Sequence, residues 1–265
     1  MKQISSRENT LFKSLKKLRD SARERNKLGQ TIMDGDHLLS AYLAAGGMPK
    51  MIVVSQSAVL RQEFEAILKC CPEVQKIEMT DVLFNEIASV NTPTGILSII
   101  TIPHIATPEH ITFCLLLEDV QDPGNLGSIL RSAAAASVST VYLSPHCADV
   151  WSPKVLRAGM GAHFVLKIIE GADLLNIAAQ FSGLLVATSL DADKTLYDLN
   201  LTGVLAFIIG NEGGGLSQEL LSAAHERITI PMPGQVESLN AAAAAAVCLF
   251  ERVRQVSLQQ KNKPA

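Results

Sequence analysis

Three short loops, each following an apolar run, hold the residues whose types and spacing could do chemistry. The first is QDPGNLGSILRSAAA (121–135), where Asn125 supplies an amide and Arg131 lies about one turn into a predicted helix. A guanidinium close to a helix N-terminus suits a phosphate or the edge of a ribose. Taken alone, this loop is equally consistent with Asn125 holding a turn and Arg131 forming a surface ion pair.

The second and third loops combine glycine with polar side chains. In GNEGGGLSQEL (210–220), four glycines expose backbone amides around the carboxylate of Glu212. In IPMPGQVESLN (230–240), Ser238 and Asn240 precede six alanines of a predicted helix, where such side chains can cap unpaired N–H groups. A strand, a turn and a packing helix would explain the shape of the third loop by themselves. The recurrence of glycine with Asn, Ser, Glu or Arg after three strands favours one shared polar cluster.

The elements that must position these loops form an alternating pattern of strands and helices. Such alternation predicts a mostly parallel sheet with helices on both faces, and ligands of these sheets bind at the carboxyl ends of the strands. The predicted strands are 113–117, 140–143, 164–169, 184–188, 204–209 and 228–230.

The first hundred or so residues predict a smaller α/β unit. It begins with a helical pattern over 5–28, with Leu11, Leu15 and Leu18 on one stripe. Further helices are predicted at 37–45, 58–69 and 80–88, and strands at 51–55, 76–79 and 95–100. The segment 103–110 contains two prolines and is the predicted linker between a domain at 1–102 and a domain at 111–265.

Composition narrows the class of protein. The chain has 265 residues, 48% of them apolar, with a mean hydropathy of +0.22, which is sufficient for two globular cores. The sequence contains neither an apolar run of about 18 residues nor the apolar core of a signal peptide, so we expect a cytoplasmic protein. The five cysteines have no C-x-x-C spacing, so we expect reduced, mostly buried thiols and no metal site.

The charge is unevenly distributed along the chain. The net charge is −3, yet residues 1–30 hold nine Lys or Arg against three acids, while the remainder carries −9. A basic helix is often only a solvated face, but this split is also typical of a phosphate-binding arm. The residues predicted to contact nucleic-acid phosphates are Lys16, Lys17, Arg23 and Arg25.

The common nucleotide-binding fingerprints are missing from the sequence. No G-x-G-x-x-G follows the first strand of a βαβ unit, and no G-x-x-x-x-G-K-[ST] occurs anywhere. These observations argue against a Rossmann-type dehydrogenase and a P-loop protein.

Taken together, the segments DPGNLGSILRSA, FIIGNEGGGLS and IPMPGQVESLN resemble the three motifs of the SpoU (TrmH-type) ribose methyltransferases of the SPOUT superfamily, in the same order. The resemblance covers about 113–256. More loosely, MDGDHLL (33–39) and NTPTGI (91–96) resemble segments of the small ribosomal-protein-like substrate-binding domain of such enzymes. The implied architecture is a small α/β RNA-binding domain followed by a mostly parallel α/β domain that ends in a trefoil knot.

The resemblance also implies a cofactor and a partner. The cofactor would be S-adenosylmethionine, and the protein would be an obligate homodimer whose catalytic site draws on both chains. A side chain at position 210 is expected to fill the space beside the adenosine. By matching residue to residue, the main chain of Gly210, Ile230 and Leu239 would contact the cofactor, with Thr188 and Met232 nearby.

The reaction implied is methylation of a ribose 2′-OH, and the favoured substrate is 23S rRNA. Arg131 matches the arginine that would assist removal of the hydroxyl proton, and Asn125 would orient it or the target nucleotide. Glu212, Ser238 and Asn240 would shape the pocket and hold the ribose. A tRNA substrate is the alternative. A non-catalytic RNA-binding protein of the same fold is disfavoured, because a decayed site should have lost some of these residues.

Overall fold

The computed structural model describes residues 1–105 and 111–261, so most of the predicted linker lies outside the described residues. Contacts divide the chain into two units, Met1–His104 with Trp151–Phe164, and Ile105–Val150 with Val165–Ala265. Among the described residues, no helix is both long and apolar enough to cross a membrane.

The first unit is a five-stranded sheet with helices. Its strands are β1 (Lys2–Ile4), β2 (Gln30–Asp34), β3 (Met51–Ser55), β4 (Gln75–Met79) and β5 (Ile96–Thr101). Its helices are α1 (Thr10–Asp20), α2 (Ala22–Leu28), α3 (Asp36–Ala44), α4 (Gln62–Lys69) and α5 (Asp81–Ile87). The order β1-β4-β3-β5-β2 is parallel from β1 to β3, whereas β5 runs antiparallel to both its neighbours.

The predicted helix over 5–28 is wrong in its continuity. Ser21 separates α1 from α2, and its hydroxyl caps α2 by accepting from the Glu24 N–H. Asn9 caps α1 in the same way. Phe12, Leu15 and Leu18 of α1 are buried in the core, while most basic residues between them face solvent. The amphipathic character read from the sequence is therefore confirmed.

The second unit is built on a seven-stranded sheet. Its strands are β6 (Phe113–Leu117), β7 (Thr140–Leu143), β8 (Lys167–Ile169), β9 (Leu184–Thr188), β10 (Lys194–Thr195), β11 (Leu205–Ile209) and β12 (Glu226–Thr229). Its helices are α6 (Pro123–Ala135), α8 (Leu174–Gln180), α9 (Gln218–Ala223) and α10 (Ala241–Lys261). Helix α7 (Pro153–Gly159) follows β7 in the chain but belongs to the first unit. Every strand pair in this sheet is parallel, which confirms the predicted α/β class.

The sheet order β10-β12-β9-β11-β6-β7-β8 places the candidate loops together. The chain runs outward from β6 through β7 to β8 and then returns on the other side, where β11 lies beside β6. All residues of β6 and β11 are buried, as expected for central parallel strands. A reversal of this kind leaves a crevice at the carboxyl ends of the strands, where ligands bind.

The segment Trp151–Phe164, which the sequence places in the second domain, packs within the first unit. The Thr31 hydroxyl donates to the backbone oxygen of Trp151 at 2.6 Å, and the rings of Tyr42 and Phe164 are 5.0 Å apart. A linear reading of the chain cannot detect such an excursion, because the segment carries no change of composition.

Candidate active site

The three polar loops meet through side-chain hydrogen bonds at the carboxyl end of the sheet. Asp122 caps α6 and accepts from the Asn125 backbone N–H at 2.7 Å, which fixes the start of that helix. Asn125 Nδ2 then donates to Glu212 Oε1 at 2.8 Å. Asn240 Nδ2 donates to Asn125 Oδ1 at 2.9 Å. The predicted clustering of the loops is confirmed by these bonds between residues far apart in sequence.

Asn240 also begins the alanine-rich helix α10. Its Oδ1 accepts from the backbone N–H groups of Ala242 and Ala243, at 2.9 and 3.3 Å. Both ends of its amide are therefore used, one by the helix and one by Asn125. Capping of this kind is favourable because the first N–H groups of a helix have no partner within it.

The glycine loop at 210–215 closes on itself. The backbones of Asn211 and Gly215 exchange hydrogen bonds of 2.9 and 3.0 Å, and Asn211 Oδ1 accepts from the N–H groups of Gly213 and Gly214. A Cβ at Gly210 would lie 2.2 Å from the Gly215 oxygen. The physical reason for glycine at 210 is therefore the loop's own backbone, and not only the space beside a cofactor that the sequence suggested.

A cavity of about 510 Å³ opens between the glycine loop and the segment that follows β12. Its walls include all five predicted cofactor contacts, Thr188, Gly210, Ile230, Met232 and Leu239. Glu212 and Ser238 also line the cavity. The sequence missed further lining residues that follow β9 or flank the motifs, namely Ser189, Leu190, Asp191, Gln218 and Glu237.

The cavity fits S-adenosylmethionine in size and charge. Its volume lies within the range of small-molecule sites. The described residues lining it include the carboxylates Asp191, Glu212 and Glu237 and no Lys, Arg or His. Carboxylates without basic neighbours favour a ligand with net positive charge, and S-adenosylmethionine has one because its sulfonium and ammonium outweigh its single carboxylate. In the part of the chain that the structure describes, no cluster of His, Cys, Asp and Glu could hold a metal ion.

Arg131 lies outside this hydrogen-bonded network. It is on the exposed stripe of α6, with Gly124, Ser128 and Ala135, and is not among the residues that line the cavity. It makes no hydrogen bond or ion pair with any described residue. The guanidinium is thus available to an anion, although the structure does not bring it together with the other predicted catalytic side chains.

The predicted RNA contacts divide in two. Lys16 and Lys17 on α1 and Arg23 on α2 are exposed. Arg25 is only 4% exposed, and its Nη1 donates to the backbone oxygens of Leu18 and Arg19 at 2.7 and 2.8 Å. The prediction for Arg25 is therefore wrong, because this guanidinium joins α2 to the end of α1. In the continuous helix that the sequence predicts over 5–28, Arg25 falls seven residues after Leu18 and therefore on the apolar face, which is the signal that could have revealed this.

Comparison with known proteins agrees with this geometry. Residues 112–250 match the model of the SpoU rRNA methylase family, and residues 9–98 match the MRM3-like substrate binding domain. The uncharacterized tRNA/rRNA methyltransferase slr1673 of Synechocystis is 34% identical, with 95% of this chain and 93% of the relative covered. The 23S rRNA (guanosine(2553)-2′-O)-methyltransferase RlmP of Bacillus subtilis is 30% identical, with 94% and 98% covered.

Solved structures give the same result. The crystal structure of an RNA 2′-O ribose methyltransferase matches with a TM-score of 0.83 at 27% identity, covering 96% of this chain and 98% of the other. The SpoU methyltransferase AviRb from Streptomyces viridochromogenes, in complex with AdoMet, matches with a TM-score of 0.81 at 27% identity, covering 93% and 98%. The fold and the site together define an S-adenosylmethionine-dependent RNA 2′-O-methyltransferase. The chain belongs to the SpoU rRNA methylase family.

Proposed function

We propose that the protein methylates a ribose 2′-OH of 23S rRNA, in the cytoplasm where ribosomes assemble. The observation that carries the proposal is the Asn125–Glu212–Asn240 network beside a cavity whose charged lining residues are carboxylates. RlmP, which acts on 23S rRNA by its name, supports the choice of substrate. Bound S-adenosylmethionine supplies an activated methyl group, so the protein has to align the 2′-hydroxyl with that group and assist the loss of the hydroxyl proton.

The cofactor is held by the walls of the cavity. The main chain of Gly210, Ile230 and Leu239 would contact it, with Thr188 and Met232 alongside, since all five residues line the cavity. Backbone groups serve well here, because an apolar residue such as Ile230 or Leu239 can offer its amide or carbonyl as readily as any other. The carboxylates of Asp191 and Glu237 add a favourable field for the ligand's positive charges.

The RNA ribose lies next to the network. Glu212 and Asn240 fix the orientation of the Asn125 amide, and Ser238 offers a hydroxyl to the ribose. Arg131 binds the phosphate of the target nucleotide and stabilises the 2′-oxygen as the hydroxyl proton passes to solvent water. A guanidinium pKa above about 12 makes Arg131 a poor free base, so its role is electrostatic and positional.

The functional unit is a homodimer, and the chain passes through a trefoil knot, as the resemblance implies. Two observations support a shared site. Arg131 has no partner among the described residues, and the exposed Phe250 on α10 is an apolar side chain on the helix that packs against α6. Association through these helices would place residues of one copy near Arg131 of the other. Light scattering that found a stable, active monomer would contradict this assembly.

The first unit binds the RNA. Its basic arm, defined as the exposed residues Lys16, Lys17 and Arg23, offers phosphate contacts at the start of the chain. Since non-specific nucleic-acid affinity comes chiefly from such contacts, the arm contributes affinity more than choice of nucleotide.

The test is transfer of a labelled methyl group to ribosomal RNA from a strain lacking the gene. Digestion to nucleosides and mass spectrometry should identify a 2′-O-methylated nucleoside in 23S rRNA. Transfer RNA from the same strain serves as the comparison, because the Synechocystis relative is named for both RNA classes. Methylation confined to tRNA would replace the proposed substrate. Tight RNA binding with no transfer to either RNA would leave a binding protein instead.

A further inference from the structure

A chain of hydrogen bonds from three strand ends leads to the glycine loop, and it involves residues that none of the predicted motif roles includes. Asp119 follows β6 with a positive φ of 54°, a conformation that non-glycine residues rarely adopt. Ser144, which follows β7 and is 8% exposed, holds it there. The Ser144 hydroxyl accepts from the Asp119 N–H at 2.9 Å and donates to Asp119 Oδ1 at 2.5 Å.

The backbone oxygen of Asp119 continues the chain. It accepts from Asn211 Nδ2 at 2.7 Å, which fixes the orientation of that amide. Asn211 Oδ1 is then directed at the N–H groups of Gly213 and Gly214, at 2.8 and 3.0 Å. Glu212 lies between these partners in sequence, and its carboxylate accepts from Asn125. The position of Glu212 thus depends on contacts that begin at Ser144.

The other end of the glycine loop is tied to the same strand. Glu118 Oε2 accepts from the Ser217 N–H at 2.7 Å, where α9 begins. Consecutive residues at the end of β6 therefore hold residues 211 and 217, on either side of the loop. A glycine-rich segment has high backbone freedom, so these contacts are needed to give it one conformation.

We propose that Ser144 and Asp119, acting through Asn211, are positioning residues that hold Glu212 against Asn125 for methyl transfer. This inference rests on the proposed function. Neither Ser144 nor Asp119 lines the cavity, so neither contacts the cofactor directly. Their effect is exerted through the conformation of the glycine loop.

The main variant is Ser144→Ala, which removes both hydrogen bonds to Asp119. At saturating cofactor and RNA we expect its single-turnover rate to fall about tenfold or more, the scale of one lost hydrogen bond in the transition state. Ser144→Thr keeps the hydroxyl and should restore most of the rate. Asp119→Asn keeps an acceptor and tolerates the positive φ, whereas Asp119→Ala does neither and should behave like Ser144→Ala.

The matched control is Ser139→Ala. The Ser139 hydroxyl donates to the Phe113 oxygen at 2.9 Å, between the amino ends of the same two strands. This variant loses a side-chain hydrogen bond at the amino ends of the strands, far from the glycine loop at their carboxyl ends, so it should keep the wild-type rate. A double-mutant cycle adds a second criterion: in a Glu212→Ala background, Ser144→Ala should cause little further loss.

Amide hydrogen exchange tests the hold of Ser144 on the glycine loop without an activity measurement. Ser144→Ala should accelerate exchange at Gly213 and Gly214, and Ser139→Ala should not. If Ser144→Ala accelerated exchange while the wild-type protein transferred no methyl group, the loop contacts would be supported and the proposed function alone would be overturned. Unchanged exchange, a rate within about threefold of wild type, or fully additive losses with Glu212→Ala would overturn the positioning role.

Discussion

Asn125 Nδ2 lies 2.8 Å from Glu212 Oε1, so residues from two loops at neighbouring strand ends act as one unit. Asn240 completes the orientation of Asn125 by donating to its Oδ1. An amide satisfied at both ends cannot flip without losing a hydrogen bond at each. The network therefore fixes the orientation of the Asn125 amide beside the cavity, where we propose that the ribose binds.

Replacing Asn125 with aspartate should impair transfer strongly. Asn125→Asp removes the donor to Glu212 and places a second negative charge beside it, although the shape of the side chain is kept. We expect a loss of about 10- to 100-fold, in keeping with a broken hydrogen bond to a charged group. The measurement is single-turnover transfer at saturating substrates. Asn176→Asp, an amide-to-carboxylate change on α8 away from the cavity, is the control and should retain the wild-type rate.

Gly210→Ala should weaken cofactor binding by displacing the glycine loop. The added Cβ would meet the Gly215 oxygen at 2.2 Å, so the backbone must move. We expect at least a tenfold rise in the dissociation constant of S-adenosylmethionine, about 1.4 kcal/mol. The melting temperature of the cofactor-free protein should fall as well.

Gly203→Ala is the matched control, because nothing lies within 4 Å of a Cβ at that position. Its binding and melting temperature should both resemble those of wild type. If Gly210→Ala lost affinity without any change in melting temperature, filling of the cofactor space would explain the result better than displacement of the loop.

Particular elements illustrate what the sequence could reveal. The apolar runs of β6, β7 and β9 were predicted with their observed ends, because buried parallel strands are almost purely apolar. The strands β1, β2 and β10 were missed. Two of them are only two or three residues long, and β2 mixes polar with apolar residues.

The residues of the site likewise fall into those that the sequence predicts and those that it does not. Asn125, Glu212 and Asn240 could be named from motif chemistry, and hydrogen bonds connect them. The contacts of Ser144 and Asp119 depend on the register of neighbouring strands, which no local pattern contains. The predicted RNA contact of Arg25 is wrong because a charged side chain need not be exposed: its hydrogen bonds to two carbonyls allow it to be buried.

The basic arm should determine the salt dependence of RNA binding. Replacing Lys16, Lys17 and Arg23 with alanine should lower the slope of log K against log salt by up to about 0.9 per lost duplex contact, and less on single strands. Cofactor affinity should stay the same. A second triple variant at the exposed residues Lys50, Lys69 and Lys167 matches the change in charge. Equal slopes for both triple variants would leave the arm as a solvated surface.

Arg25→Ala gives a contrasting outcome in the same helices. Its loss removes donors from two carbonyl oxygens, so the free energy of unfolding should fall by about 1–3 kcal/mol. The salt slope should not change. A flattened slope with unchanged stability would return Arg25 to the RNA-binding set.

The thiols should differ sharply in reactivity. Cys70 is exposed, whereas burial raises the pKa of Cys114 and of Cys248 to about 12 and also raises the pKa of Cys71 and Cys147. At pH 8 the native protein should therefore present one fast thiol to a disulfide reagent, because the thiolate is the reactive form. All five should react after unfolding.

The same burial predicts a loss of stability in alkali. Unfolded thiols ionise near their ordinary value of 9.0, whereas folded Cys114 and Cys248 keep their protons until about pH 12. Between these values the unfolded state binds fewer protons, so the free energy of unfolding should fall as the pH rises.

The reactivity of Cys70 has its own control. A Cys70→Ser variant that still showed a fast thiol would contradict the slow reaction expected of the other four cysteines.

Arg131→Ala tests the reaction itself. Because Arg131 has no partner among the described residues and does not line the cavity, the variant should keep its melting temperature and its affinity for S-adenosylmethionine. It should nevertheless lose about 10²–10⁴-fold in methyl transfer, the usual effect of removing a group that assists proton transfer. The measurement is single-turnover transfer at saturating RNA, so that weaker binding is not mistaken for slower chemistry.

Two further variants complete this test. Arg131→Lys should recover little, because an ammonium cannot reproduce the planar fork that bridges a phosphate and the 2′-oxygen. Lys167→Ala removes an exposed positive charge on β8 and should transfer at the wild-type rate. If Arg131→Ala stayed within about threefold of wild type, well short of the expected loss, Arg131 would be a surface residue that does not stabilise the 2′-oxygen during transfer.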